Sequence, residues 1–194
     1  YKIFIKKIVK KNISFFSAKF FFFFFRFFSD FFQFFFELSW KDNYRERIKC
    51  EWRIVEQKEF VEVGKKDFTN SYLSFYDTIK DATKDGVDAV LFGGSICYVP
   101  NPYDYLKEAI LTNSPYIIFD RTTVTTAERD RFFVQHVPPA IFEASFPIRN
   151  FNYSNLLGPF KEKYTLVEEW ICDLQNDVHG TDMGFVFKRK SIKP

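Results

Sequence analysis

Two short apolar runs in this chain end on residues able to do chemistry. PYIIF (115–119) leads into Asp120, Arg121 and Thr122, and DAVLF (88–92) leads into Gly93, Gly94 and Ser95. A charged pair directly after an apolar strand points outward. Asp120 is therefore placed to orient an acceptor hydroxyl or act as a base, and Arg121 to hold an anionic group by a two-pronged contact. The bland alternative, an Asp–Arg pair tying down the loop that follows, stays open. Small residues at 93–95 let backbone approach a ligand closely, although a plain tight turn explains them equally well. His136, in VQHVPP, has a side chain whose ordinary pKa of about 6.5 suits it to taking a proton; a surface or structural histidine is the stronger alternative. Tyr98 and Tyr103 fit core or helix packing better than a pocket wall, and His179, in the polar stretch NDVHGTD, is given no role.

These groups need elements to position them. Residues 88–122 read as strand, loop, helix and second strand, one βαβ unit of a parallel sheet, and ligands of open α/β sheets sit outside the carboxyl ends of the strands. Asn101 and Pro102 open the helix well, since Asn caps free amides and Pro has none to leave unpaired; Leu106, Ala109 and Ile110 share one face. Upstream, CEWRIVE (50–56) suits a short buried strand ending in an acid, EFVEVGKKDF a helix carrying Phe60, Val61 and Gly64, and Leu73–Tyr76 another strand. Thr78–Thr83 is a helical turn or two. Residues 122–152, with Pro138, Pro139 and Pro147, read as a long irregular segment. Tyr164–Trp170 and Gly184–Lys188 are late strands joined by a link too short for a crossover helix, hence antiparallel. The expectation is α/β: a Rossmann-like, mostly parallel sheet with helices on both faces and a C-terminal antiparallel strand pair.

The 194 residues are enough for one domain with a core burying about 70% of the unfolded surface. Net charge is +3, but five lysines without an acid fall in residues 1–12, leaving −2 on the remaining 182. A body of that charge does not suit a phosphate-tracking surface, so no nucleic-acid partner is expected. The three cysteines are far apart and out of register with His136 and His179 for zinc, which suits a reducing, cytoplasmic setting without a structural metal.

Between Phe15 and Phe36, 15 of 22 residues are Phe. As a membrane span the tract gains about 4–5 kcal/mol from Phe and loses about 7–10 to its charged residues, so spanning is disfavoured. Contact with a membrane surface through the lysine-rich start and the aromatic tract stays open. A near-uniform run specifies no face. Residues 1–40 are therefore set apart as an aberrant basic and Phe-rich segment, explicable by a repeat expansion or a shifted reading frame, from an α/β domain at 41–194; the first strand should lie in or beside the tract.

Five α/β units ending in an antiparallel pair are the layout of class I methyltransferases. WRIVEQKEFVEVGKK, DAVLFGGSICYVPNPYDYLKEAI, PYIIFDRT, VQHVPPAIFEASFP and GFVFKRK, spanning roughly residues 52–190, together resemble a bacterial family of S-adenosylmethionine-dependent methyltransferases associated with surface-polysaccharide gene clusters. The resemblance implies S-adenosylmethionine as cofactor, Glu56 as acceptor of the ribose hydroxyl bonds with Gln57 assisting, Asp77 near the adenine amino group or as a helix cap, and Gly93–Ser95 beside the reactive sulfonium. It implies methyl transfer to a small-molecule or sugar acceptor; the rival is a non-catalytic binding protein or decayed remnant. Similar proteins carry a glycine-rich turn after the first strand, about 15–30 residues before the position of Trp52 here, yet this chain has no glycine before Gly64. Nothing in the sequence speaks to oligomeric state.

Overall fold

The computed structural model describes residues 18–23, 50–137, 144–172 and 180–191. Nine strands form one mixed sheet: β1 (Ala18–Phe23), β2 (Cys50–Val55), β3 (Leu73–Tyr76), β4 (Ala89–Gly93), β5 (Tyr116–Thr125), β6 (Arg131–Val137), β7 (Ala144–Asn152), β8 (Tyr164–Ile171) and β9 (Thr181–Arg189). The described helices are α1 (Lys58–Asp67), α2 (Ile79–Thr83), α3 (Pro102–Leu111) and α4 (Tyr153–Leu157), with 3₁₀ turns at Ile96–Tyr98 and Gly158–Phe160.

The strand order β3-β2-β1-β4-β5 is parallel throughout, and β1, inside the Phe tract, is its central strand. Chain order turns back at β1, with β2 on one side and β4 on the other. That makes the gap between β1 and β4 the topological switch point where ligands of such sheets bind.

Alternation along the strands builds two apolar layers. Val55, Val90, Phe92, Ile117 and Phe119 meet α2, α3 and α4 through Ile79, Ala82, Leu106, Ala109, Ile110, Leu156 and Leu157. Ile54, Leu73, Phe75 and Leu91 meet Val61 of α1 on the opposite face. Helices thus cover both faces, as expected for strands that read as unbroken apolar runs. Phe119 anchors the larger layer, stacked on Phe92 at 4.9 Å and edge-on to Phe160, Phe185 and Phe187. Gly64 lets α1 lie against β3, since a Cβ there would stand 2.4 Å from the Phe75 ring. Arg53, almost fully buried, holds β2 to the end of α2 by a two-pronged contact with Asp85 and a 2.8 Å bond to the Ala82 carbonyl.

The sheet is not mostly parallel, which corrects the expectation. Three of its pairings, β5–β9, β8–β9 and β6–β7, are antiparallel. The late pair is the one foreseen. The extra pairing is in the stretch read as irregular: β5 runs on through Thr125, and Arg131–Val137 and Ala144–Asn152 form a hairpin. Alternation in RFFVQHV outweighed the prolines. Pro147 sits in β7, which pairs on one side only along most of its length, where a missing amide is tolerated. Pro138 and Pro139 lie outside the described residues. The hairpin leaves β5 beyond the end of β4, with Val124 and Thr125 paired parallel to Phe151 and Asn152. Val124 pairs with β9 on its other edge, so β7 takes the edge that β4 vacates.

Candidate functional site

One register row fixes the site. Tyr76, Val55, Phe23, Phe92 and Phe119 lie side by side across β3, β2, β1, β4 and β5. The next residue on each described strand is therefore at a common level: Asp77, Glu56, Gly93 and Asp120. Glu56 and Asp120 stand three inter-strand steps apart, about 14 Å, on either side of the switch point.

Glu56 caps the end of β2, its amide donating to the Tyr76 carbonyl at 3.2 Å. Among the described residues its half-buried carboxylate accepts from the Gln57 amide at 2.9 Å, and burial pushes its pKa up to about 7. Further donors would stabilise the charged form of such a desolvated carboxylate. Gln57 begins α1 and is exposed, with no capping bond from its side chain. Asp77 does not cap the following helix. That role belongs to Thr78, whose Oγ1 accepts from the Asp81 amide at 3.1 Å and donates to the Asp81 carboxylate at 2.7 Å. Asp77 instead accepts from Lys65 Nζ at 3.4 Å. Asn101 likewise precedes α3 without a side-chain cap.

At the ends of β4 and β5 the backbone is tightly wound. Gly94 has φ +70° and donates to the Asp120 carbonyl at 2.7 Å; beside it, Arg121 has φ +53°, in the left-handed region that a long side chain rarely adopts. Asp120 and Arg121 form the bulge where the β5–β9 register shifts between Phe119 and Thr122. Arg121 Nε donates to Asp120 Oδ2 at 3.2 Å, and the side chains are 24% and 20% exposed, so both remain reachable. Burial raises the Asp120 carboxyl above its ordinary pKa, against the pull of Arg121. The fully buried Ser95 and Thr122 hydroxyls flank this bulge without a hydrogen-bond partner.

The hairpin lies over the turn after β4. Tyr98 OH donates to Gln135 Oε1 at 3.0 Å and its ring meets Phe146 edge-on at 5.5 Å; burial pushes the phenol up to about 12. Asp130 ties down the base of the hairpin, accepting from Tyr103 OH at 2.9 Å, Arg149 Nη1 at 3.1 Å and the Asn152 amide at 2.9 Å. Tyr98 and Tyr103 are thus packing residues. The segment after Thr125 is held by Asp130 rather than by the Asp120–Arg121 pair.

His136 is exposed on β6, opposite Ser145. Alternation turns Gln135 toward Tyr98 and His136 to the other side of the ribbon, so the fold does not bring His136 to Asp120, and we give it no part in the chemistry. Cys97 and Cys172 are free and buried, burial pushing their thiols up to about 12 and about 11, which keeps them un-ionised and unreactive. Among the described residues no cluster of His, Cys, Asp or Glu could hold a metal, and no helix is long and apolar enough to cross a membrane. Sequence reading missed Asp130 and Gln135; the alternation of β6 was the available signal for Gln135.

Solved structures share this arrangement. The glycopeptide N-methyltransferase MtfA complexed with S-adenosylmethionine matches over 95% of this chain and 92% of its own, with TM-score 0.57 and 6% identity. A SAM-dependent methyltransferase from Methanosarcina mazei covers 89% of this chain and 92% of its own, with TM-score 0.56 and 11% identity. The fold is that of the class I methyltransferases. The N-terminal domain of EvdMO1, crystallised in the presence of SAH and D-fucose, has the same methyltransferase fold, with TM-score 0.54 and 15% identity over 89% of this chain and 76% of that one. No protein-family model and no curated protein matches the sequence. β8 and β9 are the closing antiparallel pair, and the β6–β7 hairpin lies in the chain between β5 and that pair.

Proposed function

We propose that this protein binds S-adenosylmethionine across the β1/β4 switch point and transfers its methyl group to a hydroxyl of a small-molecule or sugar acceptor. The observation carrying the reading is the common level of Glu56 and Asp120, one a desolvated carboxylate and the other a carboxylate paired with a guanidinium, on opposite sides of that switch point. The residues present fit the adenosine half of the cofactor: the Glu56 carboxylate would hold it through the ribose hydroxyls, with Gln57 beside it. Bound there, the cofactor supplies an electrophilic methyl group on sulfur.

Asp120 accepts the proton of the acceptor hydroxyl, and its raised pKa makes it a stronger base than an exposed aspartate. Arg121 holds an anionic or hydroxyl-bearing part of the acceptor. Tyr98 and the hairpin keep water from the turn after β4. Rate comes from alignment and desolvation, without a covalent enzyme intermediate. A sugar acceptor, and a place in surface-polysaccharide synthesis, are supported by the sequence resemblance and by the EvdMO1 domain crystallised with D-fucose.

One observation favours a second reading, a non-catalytic binding module: the chain has no glycine before Gly64, where similar proteins wrap the methionine end of the cofactor. Calorimetric titration of the full chain with S-adenosylhomocysteine separates them. Micromolar binding that falls at least about thirtyfold in Glu56→Ala supports the enzyme. A folded sample that releases no heat and shows no thermal shift supports the binding module.

A further inference from the structure

The end of the sheet opposite the catalytic row gathers cations. Lys188 of β9 is in register with Thr165 and Tyr116, and through Ala89 with Phe20 of β1. Two residues further towards that end, Lys190 is level with Lys163, just before β8, and with Ala18, where β1 begins. The Lys190 amide donates to the Lys163 carbonyl at 2.9 Å and its Nζ to the Lys161 carbonyl at 2.6 Å, while the Arg189 guanidinium donates to the Asn113 carbonyl. Lys161, Lys188, Arg189 and Lys190 are exposed and Lys163 is half-buried. Bonds to carbonyls leave charge uncompensated, and among the described residues none of these five cations forms a salt bridge. Glu162 is the acid among them in sequence. The other carboxylates near this end belong to the β2 and β4 side of β5: Arg53 holds Glu51 and Asp85, and Asp88 precedes β4.

Two further features point to the partner. Leu111, in the last turn of α3, is 67% exposed and stands two residues before the Asn113 that Arg189 holds, so an apolar side chain borders the cationic patch. The chain also reaches β1 from this end. Residues 2–11 carry five lysines interleaved with Ile3, Phe4, Ile5, Ile8 and Val9. Lys11 comes seven residues before Ala18, within about 25 Å at full extension, and β1 lies three strands from β9, about 14 Å. Cations alone suit any polyanion, nucleic acid included. Cations alternating with apolar residues, beside an exposed leucine, suit an anionic lipid surface, where charge meets headgroups and apolar side chains enter the acyl boundary.

We propose that this end of the domain docks on an anionic lipid surface, with Lys161, Lys188, Arg189 and Lys190 on the headgroups and Leu111 entering between them. The catalytic row lies six residues along the strands from the level of Ala18, about 20 Å away. Docked in this way, the strands stand on the membrane and their carboxyl ends open to solution. The proposal does not rest on the methyl-transfer reading, because the two surfaces share no residue.

Co-sedimentation of the full chain with vesicles tests it, using phosphatidylcholine alone and phosphatidylcholine with about 30% phosphatidylserine. Sedimentation with the anionic vesicles only, weakening as salt rises, is expected. Lys161→Glu combined with Lys188→Glu should cut the affinity at least about tenfold, and Leu111→Ser at least about threefold. Lys58→Glu combined with Arg129→Glu makes the same charge change at the carboxyl end of the strands and should sediment like the wild type. All these positions are exposed, and a melting curve checks that each variant is folded. Equal sedimentation with both vesicles, sedimentation with neither, or an undiminished signal in the Lys161→Glu, Lys188→Glu variant would overturn the proposal. So would capture by a short DNA duplex in preference to anionic vesicles, with Leu111→Ser having no effect.

Discussion

Glu56 shows how one residue ties stability to function. Its pKa is about 7 in the folded protein against 4.5 ordinarily, because burial disfavours the charged form. A carboxyl raised in this way costs nothing below pH 4.5, where it is neutral folded or unfolded, and its cost grows as pH climbs through 4.5 to about 7. Glu56→Gln should therefore leave stability near pH 4 unchanged and raise it by about 1–3 kcal/mol at pH 8, seen as a higher urea midpoint. Binding has the opposite slope. Ribose hydroxyls need the carboxylate as acceptor, so nucleoside affinity should rise with pH up to about 7, with net proton release detectable by calorimetry in buffers of different ionisation enthalpy. A pH-independent affinity would remove Glu56 from the binding site. Arg121 makes the matching case at the acceptor end. Its φ of +53° costs a non-glycine residue about 1 kcal/mol, so Arg121→Gly should hold or raise the melting temperature while methyl transfer falls by more than about tenfold.

At the scale of elements, the parallel strands, α1, α3 and the late pair were legible because each carries a local signal. AVLF and YIIF are unbroken apolar runs, Pro102 marks a helix start, and Leu106, Ala109 and Ile110 repeat at helical spacing. The β6–β7 hairpin was not legible, because its prolines point to a loop and its strand character depends on pairing with partners far along the chain. Its anchor is Asp130, 11% exposed in its side chain and accepting from three donors. Asp130→Asn should cost about 1.5–3 kcal/mol and raise amide exchange selectively across 131–137 and 144–150, leaving β2–β4 protected; uniform exchange would show that the hairpin has no separate latch.

At the scale of the whole molecule, the Phe tract changes meaning. In sequence it is a segment without a face, set apart from the domain. In the fold, residues 18–23 are the strand between β2 and β4. Removing residues 1–40 should therefore leave two unpaired parallel edges at the centre of the sheet, and a chain starting at residue 41 should lack a cooperative melt by circular dichroism. If that shortened chain melts like the full one, β1 is dispensable and the switch point it defines has no structural basis.

What the chain order of residues determined is the set of strands and helices and the chemistry at their ends, Glu56 after β2 and Asp120 and Arg121 after PYIIF, because apolar runs and their terminating polar residues are local. What the tertiary structure decided is which ends share a level and which side of the ribbon His136 takes. Those depend on register, where a shift of one residue turns every side chain to the other face, and register is set by packing between segments distant in sequence.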